Sequence, residues 1–151
     1  MLASTIAQRF GDLDPAERLS NLDLFADCTR AQLQKIDALT TDLSIRKDRV
    51  LIREGSVARE FIVIRTGSAQ VTRQTNDGVA TVANVGTGDF LGEMALLTGT
   101  CRTATATATT DLAVLVSSIG EFRSILEIAP SVARKVQRAS LARAASMDIA
   151  A

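Results

Sequence analysis

Leu91-Gly92-Glu93-Met94-Ala95-Leu96-Leu97, followed across a short loop by Arg102-Thr103-Ala104, sets a carboxylate, a guanidinium and several small residues close together in the chain. Gly92 frees the backbone to bend sharply just before Glu93. A short helical turn over 93–97 would then aim its first N–H groups at one spot. Such a turn favours an anion, because those N–H groups lack internal partners and the helix dipole is positive there. Arg102 can fork two N–H donors onto the same anion. Glu93, itself negative, suits a sugar hydroxyl instead. Phosphate and ribose recognised side by side point to a nucleotide.

Outward from this stretch the apolar period is two on both sides. Upstream, Leu43 and Ile45 alternate with polar residues from Thr41 onward, and Val50 to Ile52 and Phe61 to Ile64 form short apolar runs punctuated by Gly55 and Gly67. Ala69 and Val71 lead to Asn76-Asp77-Gly78, read as a hairpin turn whose two central positions tolerate positive φ. Val79, Val82 and Val85 form the returning strand, and Gly86-Thr87-Gly88-Asp89 is a further turn. Downstream, residues 103–108 read Thr-Ala-Thr-Ala-Thr-Ala, a strand with its alanines inward, and Leu112 to Val116 supply one more. About seven or eight short strands with glycine punctuation argue for a closed antiparallel barrel or a jelly roll.

The flanks change to helical periodicity. Leu2, Ile6 and Phe10 make a short amphipathic stripe, either packed on its own domain or docking a partner. Asp14-Pro15-Ala16-Glu17 reads as a helix start with Asp14 as N-cap and Glu17 closing a capping box, followed by Leu19, Leu22, Leu24 and Phe25. Thr29-Arg30-Ala31-Gln32 opens a helix carrying Leu33, Ile36 and Leu39, and Ser118-Ile119-Gly120-Glu121 opens another carrying Phe122, Ile125 and Leu126. Pro130 must end or kink that helix. Ser131 to about Met147 is rich in Ala, Arg and Ser, with Val132, Val136 and Leu141 as its main apolar residues. So little apolar area predicts a weakly held helix, either a moving part or a frayed end. The expected architecture is α+β: an antiparallel β-roll, jelly-roll-like, over about 41–117, behind N-terminal helices and ahead of a kinked helix pair over about 118–147. Residues 1–21 form a separate N-terminal segment in this division, and 22–151 the domain proper.

The composition narrows the function. With 151 residues, 46% of them hydrophobic, the chain suits one domain with a proper core. Seventeen basic residues balance seventeen acidic ones, so no overall field draws it to nucleic acid or an anionic membrane. No apolar run is long enough to span a bilayer, and no secretory leader opens the chain, which makes the cytoplasm the default. The absence of histidine removes the common zinc, non-haem iron and haem sites and every histidine triad. It also leaves a cupin-type oxygenase or isomerase without ligands. Cys28 and Cys101, widely separated, read as thiols in a reducing compartment. Neither a metal site nor a catalytic residue is expected.

Taken together, Gly92, Glu93, Met94, Ala95, Leu96 and then Arg102, Thr103, Ala104 resemble the phosphate-binding cassette of cyclic nucleotide-binding domains, as in bacterial cAMP receptor proteins, kinase regulatory subunits and gated channels. A second stretch is similar too: Leu51-Ile52-Arg53-Glu54-Gly55-Ser56, then Phe61-Ile62-Val63-Ile64-Arg65-Thr66-Gly67, with Ser56 departing from the acidic or amide residue usual there. The resemblance covers about residues 22–141. It implies that Arg102 pairs with the exocyclic oxygens of a cyclic phosphate and that Glu93 accepts the ribose 2′-hydroxyl. Backbone N–H groups of Met94, Ala95 and Ala104 would cradle the phosphate, and Thr103 would add its hydroxyl. Val71, Val82 and Ala83 would line the base, and the helix after Pro130 would close over it, with Arg138 and Arg143 as candidate lid contacts. The implied ligand is cAMP ahead of cGMP, although Thr103 could also meet a guanine in the syn conformation. Almost nothing follows the last helix, so neither DNA reading nor catalysis is expected of this chain alone. The expectation is a stand-alone sensor that signals to a protein partner, or within a homodimer, through its C-terminal helix. The alternative is a fold without ligand that serves as a dimerisation or scaffold module.

Overall fold

The structure, a computed structural model, describes residues 14–150. The stripe of Leu2, Ile6 and Phe10 lies outside the described residues. Helix α1 (Pro15–Ser20) starts at Asp14, whose Oδ1 accepts from the Ala16 N–H at 3.3 Å. Its other carboxylate oxygen takes the Arg30 guanidinium, so the cap also ties α1 to the next helix. A 3-10 turn over Asp23–Phe25 leads to α2 (Arg30–Ala38). There the expected capping box is complete: the Gln32 N–H reaches Thr29 Oγ1 at 3.2 Å, and the Thr29 N–H reaches Gln32 Oε1 at 2.9 Å.

The β portion comprises β1 (Thr41–Ile45), β2 (Val50–Ile52), β3 (Glu60–Thr66), β4 (Ser68–Thr75), β5 (Gly78–Gly86), β6 (Phe90–Leu91), β7 (Thr105–Ala108) and β8 (Leu112–Ser118), with α3 (Glu93–Thr98) between β6 and β7. All pairings between them are antiparallel. They form two four-stranded sheets, ordered β1-β8-β3-β6 and β2-β7-β4-β5. Of the two architectures expected, the roll is found. The closed barrel is not, because no ladder joins the edges of one sheet to those of the other.

Packing explains the layering. Phe61 and Val63 on β3, with Leu115 on β8, face a helical layer that includes Leu19, Leu24, Phe25, Ile36, Phe122, Ile125, Val132 and Val136. The alternate residues Ile62, Ile64, Leu112 and Val114 face the second sheet, which supplies Ala69, Val85, Ala106 and Ala108. A strand buried on both faces reads as an unbroken apolar run, which is what Phe61–Ile64 and Leu112–Val116 are. The alanines of 103–108 do face inward, Ala106 and Ala108 being 2% and 1% exposed.

One local expectation changes. The β4–β5 hairpin turns at Asn76-Asp77, but among the described residues the positive φ (113°) falls on Gly78, and neither Asn76 nor Asp77 adopts one. Glycine takes the left-handed position at lower cost than Asn or Asp. Leu141 does not join the core; it is 65% exposed. Helix α4 (Ile119–Ile128) has its Ser118–Glu121 capping box and ends at Ala129, extended at φ −126°, ψ 92° as a residue before proline prefers. Pro130 is then the first residue of α5 (Pro130–Ala150), where its missing N–H costs nothing. The first half of α5 is therefore anchored by Val132 and Val136, whereas none of the described side chains of the second half, residues 141–145, is buried.

Candidate functional site

The two sequence signatures meet in space. The Gly55 N–H donates to Arg102 O at 2.8 Å, and the Arg102 N–H donates to Ser56 O at 2.9 Å, so the Gly55 turn clamps the backbone of Arg102. The Arg102 side chain runs inward and is 6% exposed. Its Nη1 donates to Gly92 O at 2.9 Å and its Nη2 to Glu60 O at 2.6 Å. Both acceptors are neutral carbonyls. Burial accordingly lowers the pKa of the guanidinium, and the carboxylates of Glu60 and Glu93 only partly oppose this. A positive charge is thus held out of water without a directly bonded anion.

Gly92 makes this approach possible. Its φ is 96°, in the left-handed region, and a Cβ there would sit 2.6 Å from Arg102 Nη1 and 2.8 Å from Glu60 O. Only glycine fits both the backbone and the space. Helix α3 follows at once and ends at Gly99, also left-handed at φ 69°. The N–H groups of Met94, Ala95 and Ala104 have no hydrogen-bond partner among the described residues.

Glu93 points inward from the start of α3 and is 1% exposed. Its Oε1 accepts from Arg143 Nη1 of α5 at 2.5 Å, whereas its Oε2 is buried without a partner. Arg143 also donates from Nη2 to Phe90 O at 2.7 Å, and its Cζ stands 5.1 Å from the centre of the Phe90 ring. The poorly packed half of α5 is therefore fastened to the Glu93 carboxylate by one polar side chain.

These groups open onto a pocket of about 870 Å³ between the cassette, β4, β5 and α5. Gly92, Glu93, Met94 and Ala95 line it from one segment, and Arg102, Thr103 and Ala104 from the next. Val71, Val82 and Ala83 line it from the β4–β5 wall. A bulge in the β4–β5 ladder, after the Val71–Ala83 pair, leaves Val82 without a partner across the ladder. Of the two candidate lid arginines, Arg143 reaches the pocket and Arg138 does not. Arg138 is exposed, beside a separate recess of about 450 Å³ near Asp89 and Lys135. Sequence reasoning missed the Glu60 carbonyl, which no side-chain pattern reveals. It also missed Arg73, which follows Val71 by one strand period and lines the same pocket.

Among the described residues no group of three or more Cys, Asp or Glu could hold a metal, and no helix is long and apolar enough to cross a membrane. Cys28 and Cys101 are free, half-buried and exposed respectively.

Comparison with known proteins gives the same reading from outside. Acetyltransferase Pat of Mycolicibacterium smegmatis is 32% identical over 113 residues, 75% of this chain and 34% of that protein. The cAMP-dependent protein kinase regulatory subunit of Yarrowia lipolytica is 33% identical over 109 residues, 72% of this chain and 28% of that protein. The chain thus spans about a third of the length of these curated relatives. In structure it is similar to the regulatory subunit of a cAMP-independent protein kinase A from Trypanosoma brucei, with a TM-score of 0.77 at 20% identity. That likeness covers 90% of this chain and 48% of the other, and it concerns the fold. The profile of the cyclic nucleotide-binding domain matches residues 42–128, which holds seven of the eight strands whole, the Gly92–Ala104 cassette and α4. With that match over more than half its length, the chain belongs to the cyclic nucleotide-binding domain family.

Proposed function

We propose that this chain is a regulatory sensor whose pocket takes a 3′,5′-cyclic nucleotide, with no catalytic step of its own. The carrying observation is Arg102, a buried guanidinium bonded only to carbonyls, facing an open pocket beside the unpartnered Oε2 of Glu93. A singly charged cyclic phosphate supplies the missing anion, and a ribose 2′-hydroxyl supplies the missing donor. The free N–H groups of Met94, Ala95 and Ala104 complete the cradle, with the Thr103 hydroxyl, and Val71, Val82 and Ala83 meet the base. The cyclic nucleotide is the only small molecule this reading requires. cAMP, named for the kinase relative, is the first ligand to test, followed by cGMP.

Signalling would run through α5. Arg143 couples that helix to Glu93, so a ligand that favours one position of the helix shifts its population by the difference in affinity between the two states. The receiver is a protein partner or a second copy in the cytoplasm, and neither DNA nor a membrane is engaged directly.

Calorimetry with cAMP, cGMP and AMP tests the site. The intact chain is expected to bind a cyclic nucleotide and to discriminate against AMP. Arg102→Ala is expected to lose about 2–5 kcal/mol of affinity, since it leaves a buried phosphate unpaired. An unchanged dissociation constant in that variant overturns the assignment. One observation favours the alternative of a scaffold module without ligand: Arg143 already neutralises Glu93 from within. Saturating ligand separates the two readings, because a concentration of 100 times the dissociation constant stabilises a true binder by roughly 2.7 kcal/mol. No thermal shift with any cyclic nucleotide would favour the scaffold.

A further inference from the structure

Arg73 has no part in the reading above. It stands on β4 two residues beyond Val71, so the pleat turns both side chains to one face, and both line the pocket. Across the ladder Arg73 meets Ala80 as Val71 meets Ala83. The β5 side of this wall is thus small and apolar at both positions, which leaves room for a long side chain. Arg73 is half-buried, and its side chain makes no hydrogen bond or ion pair among the described residues. The other two guanidiniums of the pocket are engaged, Arg102 with two carbonyls and Arg143 with Glu93 and Phe90 O. A planar fork of donors therefore faces the pocket without an acceptor.

We propose that Arg73 reads the nucleobase and selects a keto base over an amino base, guanine before adenine. This rests on the cyclic-nucleotide reading of the pocket. With Arg102 and the cassette N–H groups on the phosphate, the β4–β5 wall is left to the base, and Arg73 is the charged member of that wall. Guanine offers O6 and N7 as adjacent acceptors, the arrangement a guanidinium fork matches in two bonds. Adenine replaces O6 by an amino group, which sets a donor against a donor. Uracil and cytosine differ in the same sense at position 4. The order becomes cGMP and cUMP above cAMP and cCMP, which reverses the order the family resemblance implies for the purines.

Dissociation constants of the intact chain for these four nucleotides, measured by calorimetry for wild type, Arg73→Ala and Arg73→Gln, test it. In the wild type cGMP is expected to bind about ten-fold or more tighter than cAMP, and cUMP tighter than cCMP by a smaller factor, because uracil offers O4 alone. Arg73→Ala is expected to bring each pair within about three-fold by weakening the keto member alone. In Arg73→Gln the preference moves toward cAMP, because an amide matches the N6 and N7 of adenine. Melting curves of both variants establish that they fold. An amino preference in the wild type overturns the inference, as does an unchanged ratio in Arg73→Ala. An equal loss for all four nucleotides assigns Arg73 to the phosphate and overturns it too. These outcomes leave the sensor reading intact, whereas binding of none of the four removes both.

Discussion

The two sheets are built from similar numbers of residues and do different work. In the β1-β8-β3-β6 sheet the central strands β8 and β3 are sandwiched, with helices against one face and the other sheet against the second. The β2-β7-β4-β5 sheet is covered on one face only, and Val79 of its edge strand β5 is 68% exposed. The cassette hangs from the first sheet: β6 runs directly into Gly92, and the carbonyl of Glu60 on β3 holds Arg102. The wall facing it belongs to the second. A rigid mount thus carries the groups whose position must be accurate, and a leaner sheet supplies a surface that can vary with the ligand.

If this division holds, the largest effect on stability should come from the sandwiched sheet. Phe61 is 2% exposed, with its ring 4.4 Å from that of Phe122 and 5.7 Å from that of Phe90. Phe61→Ala is expected to destabilise by about 3–5 kcal/mol in urea unfolding, because it opens a cavity between the sheet and the helices. A loss under about 1 kcal/mol would show that the helical layer is not a load on this sheet.

The junction between mount and α5 comes next. Arg143→Ala leaves Glu93 buried with neither oxygen paired, and it is expected to cost about 2–3 kcal/mol, near the low end for breaking a buried pair because Arg143 is itself 33% exposed. Adding Glu93→Gln removes the stranded charge and should restore part of the loss, so the cycle should give a coupling of about 1–2 kcal/mol. Strict additivity would break the link between helix and cassette. Gly92→Ala, forced into the left-handed region at φ 96°, should cost about 1–2 kcal/mol for the backbone alone. It should also displace Arg102, which a fall in ligand affinity would reveal.

The same division decides what could be read in the sequence. Strands buried on both faces advertise themselves as apolar runs, so β3 and β8 were plain, and capping boxes marked α2 and α4 to the residue. The cassette was legible because its chemistry is local: Gly92, Glu93 and Arg102 lie within one turn, helix and loop. Contacts between distant segments were not. Nothing in the local pattern joins Gly55 to Arg102, or Glu60 O to its guanidinium, because backbone groups carry no sequence label. Arg138 and Arg143 are separable by the helical period, since Arg143 follows Val136 by two turns and shares its face whereas Arg138 stands on the other side; that this face meets Glu93 is shown only by the packing of Val132 and Val136. Open and closed β architectures read alike for a related reason, since closure depends on edge pairing that strand patterns do not encode.

The smallest expected effect lies on the uncovered face. Val79 begins the exposed run of β5, and Val79→Thr keeps the branched side chain a strand prefers while exchanging a methyl for a hydroxyl. On a solvated face that exchange should alter stability by less than about 0.5 kcal/mol, against several for Phe61→Ala. The measurement is sharper than its size suggests, because burying a hydroxyl without a partner is costly. If Val79→Thr cost more than about 1.5 kcal/mol, and the cost grew with protein concentration, a second copy would have to cover this face. The sheets would then be alike in burial, and the difference between mount and wall would vanish. A concentration-independent effect near zero keeps the outer face of the second sheet in solvent and the two sheets unlike in burial.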